Sequence, residues 1–139
     1  GEYVPVPSLL SLEEEGRNSL EDLAGMYEQS ELKISLKSQG GLIKIYADPT
    51  AARALLRSMI SYMIRQSDGR GEILIRAFRE DNAALFIITN KELKSPSDKN
   101  SIINIQRCEV VASSMGGSIT SDSNPTTGTT IKIKLPAVV

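Results

Sequence analysis

Few side chains in this sequence are equipped for chemistry. It contains no histidine, which excludes a Ser-His-Asp triad, a His-ligated metal and a histidine phosphoacceptor within the chain. Its single cysteine, Cys108, can form neither an internal disulfide nor a thiolate zinc site, and this fits a reducing compartment. Cys108 falls on an apolar helical stripe, so it reads as a packing thiol rather than a redox sensor. Arg53, Arg57 and Arg65 share one helical region and could meet an acidic partner or a phosphate; the simpler reading is a solvated face. Glu13-Glu14-Glu15 reads as an acidic helical N-terminus, favourable to the helix dipole.

The elements that must position these groups fit into one domain. The chain has 139 residues, with 40% apolar and 24% charged, the composition of an ordinary globular protein with a sizeable core. Sixteen basic against seventeen acidic residues leave a formal net charge of -1, so no bulk electrostatic pull toward nucleic acid or anionic lipid is expected. Two Phe, four Tyr and no Trp offer little for a base-stacking platform. No apolar run approaches membrane-spanning length, and the start, Gly1-Glu2-Tyr3-Val4-Pro5, lacks a signal pattern. A leading Gly fits a fragment excised from a longer protein.

Residues 1–7, with Pro5 and Pro7, are expected to be an extended lead-in to a domain over 8–139. Ser11 and Ser19 each stand three residues before a carboxylate, the capping-box spacing. Leu20, Leu23, Ala24 and Tyr27 then predict a helix over 19–29, with Gly16 weakening any longer one. Leu32, Ile34 and Leu36 alternate with polar residues as in a half-buried strand; Gln39-Gly40-Gly41 supplies a turn, and 42–46 reads as a second strand. Asp48-Pro49 is a helix start, with Asp48 as N-cap. Ala52, Leu55, Leu56, Met59, Ile60 and Met63 form the clearest apolar helical face in the chain.

Further on, 72–78 and 83–89 predict a hairpin. A polar loop over 90–100 leads to a third helix capped by Asn100 or Ser101, its apolar side carrying Ile105, Cys108, Val111, Ala112 and Met115. Gly116-Gly117 ends that helix, and 118–123 with 129–135 form a last hairpin. The order α-β-β-α-β-β-α-β-β predicts an α+β two-layer sandwich: a mixed, mainly antiparallel sheet with helices packed on one face. A Rossmann fold is disfavoured, because no G-x-G-x-x-G opens a helix.

Three separated segments carry a resemblance. They are Tyr46-Ala47-Asp48-Pro49 with the helix behind it, Met115-Gly116-Gly117-Ser118-Ile119, and the run from Ser123 through Gly128-Thr129 to Lys134-Leu135-Pro136. In order and spacing they resemble the ATP-binding domain of sensor histidine kinases, a Bergerat-type fold shared with the gyrase and MutL ATPases. The resemblance covers about Leu9 to Pro136 and implies the same two-layer α+β architecture.

It also implies a nucleotide pocket at Ser58, Tyr62, Arg65, Asn90, Gly128 and Thr129, and at those positions this sequence departs from the family. Ser58 and Tyr62 stand where the family has the two Asn of its Mg²⁺-phosphate helix, and Arg65 keeps only the basic residue. A phenol has one weak neutral oxygen and more bulk than an amide, so it cannot replace a compact ligand for a small hard cation. Tyr62 is expected to be a half-buried aromatic on the helix flank, with filling of an empty pocket as the functional alternative.

Asn90 replaces the Asp that accepts from the adenine amino group; its amide oxygen could accept the same bond without charge assistance. Glu92 and Lys94 replace both glycines of the first Gly box, and no glycine stands at 102–105, where the second would cradle phosphate. Gly128-Thr129 is the retained element.

The expectation is therefore a degenerate ATP-binding domain with no catalytic residue, no metal site and no cofactor. It would not be an enzyme by itself, though its parent would be a histidine protein kinase. It would be cytoplasmic and the C-terminal domain of a longer chain. It would act in two-component signalling by contact with a helical dimerisation domain or a response regulator, not with nucleic acid or membrane. Two alternatives stay open: a divergent, active domain using ATP and Mg²⁺ to phosphorylate a histidine elsewhere in the full-length protein, and a stand-alone α+β interaction module.

Overall fold

The computed structural model describes residues 6–94 and 99–138, the side chains of 99–104 excepted. The elements in chain order are β1 (Ser8–Ser11), α1 (Leu12–Asp22), a short 3₁₀ turn (Ala24–Met26), β2 (Lys33–Gln39), β3 (Lys44–Ala47) and α2 (Pro49–Ser67). They continue with β4 (Glu72–Glu80), β5 (Ala83–Asn90), α3 (Lys99–Ser114), β6 (Ser118–Asn124) and β7 (Gly128–Pro136). Five strands form one sheet in the order β2-β4-β5-β7-β6, while β1 and β3 make a separate two-stranded sheet. The β2–β4 pair is parallel and the other pairs are antiparallel, so the main sheet is mixed and mostly antiparallel, as expected. All three helices lie against one face of it, making the expected two-layer α+β sandwich.

Strand alternation builds the core. Ile73, Ile75 and Ala77 of β4, Ala84, Phe86 and Ile88 of β5, and Ile131 and Ile133 of β7 are fully buried beneath the helices. From above, α2 contributes Ala52, Leu55, Leu56, Met59, Ile60 and Met63, all at 2% exposure or less. Asp48 caps α2: its Oδ2 accepts from the Ala51 amide at 2.9 Å, while Oδ1 accepts from Val6 N–H at 3.1 Å and so also ties down the lead-in. α3 adds buried Cys108 and Ala112, with Ile105, Val111 and Met115 packed beside them. Its expected cap at Asn100 or Ser101 is replaced by a helix that already runs from Lys99, and the residues before it lie outside the described ones.

Two sequence expectations need correction. The first helix spans 12–22 rather than 19–29. Ser11, not Ser19, is the N-cap, accepting from Glu14 N–H at 3.3 Å, whereas the buried Ser19 hydroxyl donates to the Glu15 carbonyl at 2.8 Å. Gly16 does not weaken this helix but lets it approach the sheet: a Cβ there would lie 2.7 Å from the Phe86 ring and 2.9 Å from Leu36. Second, β2 and β3 form no hairpin. β2 pairs in parallel with β4 and β3 pairs with β1, from Ser8↔Ala47 to Ser11↔Lys44. The strand β1 itself, which the sequence pattern does not reveal, gives β3 its partner.

Candidate functional site

The sharpest polar convergence lies where α2 ends over the β5–β7 pair. In the ladder Asn90 stands opposite Thr129, and Asn124 opposite Gly128, so the end of β5 and the β6–β7 turn are brought together. The turn is held by the Asn124 Oδ1, which accepts from the Thr126 and Thr127 amides at 3.0 and 2.8 Å. Gly128 has φ 79° and lies so close to the Asn90 carbonyl that any Cβ would collide with it. The Thr129 hydroxyl donates to the Leu93 carbonyl at 2.6 Å and lies 2.9 Å from the Ser123 hydroxyl. Asn90 and Thr129 are each only 1% exposed.

Asn90 is bonded at both ends of its amide. Its Nδ2 donates to Ser67 Oγ at 2.7 Å, and its Oδ1 accepts from the Glu92 amide at 3.0 Å, closing the turn after β5. Ser67 Oγ in turn donates to the Met63 carbonyl at 2.6 Å. These groups border a cavity of about 330 Å³ lined by Gln66, Ser67, Arg70, Asn90, Glu92 and Leu93. Among the larger cavities, two lie against the face of the sheet that no described helix covers and one is lined by α3 residues.

The other expected site residues do not join this cluster. Ser58 is exposed on α2, about 13.5 Å along the helix axis from Ser67. Its hydroxyl lies against the Cys108 thiol across the α2–α3 contact; burial pushes that thiol up and the Ser58 contact partly offsets the push. Tyr62 is not half-buried on a flank: it is 2% exposed and belongs to the core cluster with Met59 and Met63. Arg65 is exposed, its guanidinium 3.4 Å from the Ser61 hydroxyl.

Arg53 and Arg57 are not a free solvated face. Arg53 Nε lies 2.7 Å from Glu15 and Arg57 lies 3.5 Å from Asp22, stitching α2 to α1; the Glu15 carboxylate holds the Arg53 guanidinium above its ordinary value. Cys108 is the buried packing thiol expected.

Sequence reasoning missed Ser67 and Glu15. Each leaves a trace: Ser67 continues the α2 stripe four residues after Met63, and Glu15 stands between Leu12 and Ser19 on the buried side of α1.

Among the described residues, the five-stranded sheet, its single parallel pair and the three helices on one face make this the fold of histidine kinase catalytic domains. Solved structures agree along nearly the whole chain. The catalytic domain of histidine kinase ThkA, in a nucleotide-free form, superposes with a TM-score of 0.82 at 15% identity, over 94% of this chain and 96% of that one. The Acinetobacter baumannii histidine kinase AdeS gives 0.78 at 15% identity, over 96% and 68% of the two chains. Full-length ShkA, solved in complex with AMPPNP, gives 0.82 at 13% identity, over all of this chain and 33% of that one. No protein-family model matches the sequence, and no curated protein matches it either.

Proposed function

We propose that this is the nucleotide-domain fold of a sensor histidine kinase put to non-catalytic use: a domain that does not hold Mg·ATP in the family's manner and works in two-component signalling through protein contacts. The observation that carries this reading is Tyr62. At the position of the family's second Asn it is 2% exposed, within the core. A phenol packed among Met59 and Met63 cannot be turned outward to a metal ion without opening the core beneath α2. The residues present therefore do not fit a Mg·ATP complex, since neither Ser58, which faces Cys108, nor the buried Tyr62 offers the amide oxygen that the family's helix supplies.

The base end supports the same reading. Asn90 uses both ends of its amide within the chain, Nδ2 toward Ser67 and Oδ1 toward the backbone amide of residue 92, and is 1% exposed, so little of it is presented to a ligand. On this reading the domain is cytoplasmic, is the C-terminal part of a longer chain, and meets a helical dimerisation domain or a response regulator. Among the described residues no helix is long and apolar enough to cross a membrane.

Equilibrium dialysis against labelled ATP, with and without Mg²⁺, tests the proposal. The expected result is no retention above a control protein in either condition. Saturable retention that needs Mg²⁺ would instead establish the divergent, active alternative.

A further inference from the structure

A domain that works by contact needs a surface, and among the described residues no helix covers the second face of the main sheet. Open-face residues follow from the register: Lys37, Arg76, Ile87 and Lys132 stand in one row across β2, β4, β5 and β7, and Phe78, Leu85 and Lys134 stand in the next. Leu85 and Ile87 are only 3% and 7% exposed although no helix lies over them. Long basic side chains stand beside them in the register, and stems of this kind cover apolar surface while their charged heads reach water. Arg76 also sits over the Phe78 ring, 5.9 Å from its centroid.

The charge of this face contrasts with that of the whole chain. Among the described residues Lys37, Arg76, Lys132 and Lys134 make no ion pair, whereas Arg17, Arg53 and Arg57 on the helical side do. Strands about 4.8 Å apart place the Lys37–Arg76–Lys132 row across roughly 14 Å, with Lys134 one step along β7. Carboxylates bound the cluster: Glu72 at one end, Glu80 at the other and Asp122 on the β6 edge. Shallow cavities of about 450 and 600 Å³ flank it, reaching Arg76 on one side and Lys132 and Lys134 on the other.

We infer that this open sheet face is a docking surface for an acidic segment of a partner protein, its carboxylates paired with Lys37, Arg76, Lys132 and Lys134. The bounding carboxylates favour a short acidic segment over a long polyanion, because a phosphate backbone continuing past the cluster would meet Glu72, Glu80 or Asp122. The inference rests on the protein-contact reading above for its purpose, but its geometry does not depend on the state of the nucleotide site.

The test uses the whole chain and a fluorescent octaglutamate peptide, with octalysine, a single-stranded oligonucleotide and phosphatidylserine vesicles as comparison probes. Binding is followed by anisotropy, sedimentation for the vesicles, and amide chemical-shift mapping. The expected result is saturable, salt-sensitive binding of octaglutamate, with shifts confined to β2, β4, β5 and β7. The double variant Lys132→Glu/Lys134→Glu should weaken it at least tenfold. The charge-matched Lys44→Glu/Arg107→Glu variant, altered elsewhere, should bind as the parent does, and thermal melts confirm that both are folded.

Equal weakening in the two variants, absence of binding, or equal or tighter binding of the oligonucleotide or vesicles would overturn the inference. So would self-association of the protein alone that the Lys132/Lys134 variant abolishes, which would place a second copy on the face. Dialysis with ATP reads the nucleotide site separately, so either proposal can fail while the other stands.

Discussion

The middle of α2 and its C-terminal end use their side chains differently. At the C-terminal end, Ser67, Asn90, Gly128 and Thr129 keep a tight polar junction between helix and sheet, with every bond directed within the chain. About one and a half and two and a half turns earlier, the positions that the proposed reading sets against the family's two Asn hold a tyrosine sunk in the core and an exposed serine. Polar groups at the junction still serve the fold without a ligand, because they close the β5 turn and anchor the β6–β7 turn. A ligand-facing Asn on α2 would have no such second use. On the proposed reading, this contrast accounts for one end keeping its geometry while the other serves packing.

Restoring the amide is the strongest way to break that contrast. Tyr62→Asn should cost about 3–5 kcal/mol, since it empties ring volume from a packed core and buries an amide there. Urea denaturation measures the loss, and dialysis should show no gained ATP binding. A variant of parental stability would mean that residue 62 is not a core position. Gly128→Ala comes next, at about 3 kcal/mol: left-handed strain is joined by collision with the Asn90 carbonyl. A small change in its denaturation midpoint would mean that the β6–β7 turn can move away from β5.

Thr129→Val is nearly isosteric and removes the donor to the Leu93 carbonyl. The expected loss is about 1–2 kcal/mol. Faster hydrogen exchange at residues 91–94 than in the parent would locate the effect at the junction.

The smallest effect concerns Cys108. Burial raises its thiol pKa in the folded state, so the unfolded chain ionises first as pH rises through the ordinary thiol range. This thiol's contribution to stability is therefore present at neutral pH and is lost toward alkaline pH. The difference between the parent and Cys108→Ala should shrink from pH 7 to pH 10 in paired urea melts. A difference that stays constant would contradict the burial.

How much of this could be read from the sequence depends on the range of the signals. α2 was legible because its cap, its Pro49 and its apolar stripe are all local, and the β4–β5 and β6–β7 hairpins were legible for the same reason. The partners of β2 and β3 were not: Gly40-Gly41 marks a reversal, but nothing in the neighbouring residues says that the chain crosses over α2 before β2 is paired. The same limit applied at the site. Asn90, Gly128 and Thr129 could be named through the family resemblance, whereas the Ser67 that receives Asn90 lies 23 positions away and looks like an ordinary helix terminus. Tyr62 was recognised as a departure, but how far it sinks depends on the tertiary packing around α2, which no local pattern reveals.

The most direct test of the central claim is a thermal-shift titration of the unaltered chain with Mg·ATP and Mg·ADP. A ligand that binds only the folded state must raise the melting temperature as its concentration rises. The account predicts the same melting temperature at every nucleotide concentration as in matched Mg²⁺ buffer. A rise that grows with Mg·ATP and disappears on chelation of Mg²⁺ would contradict it.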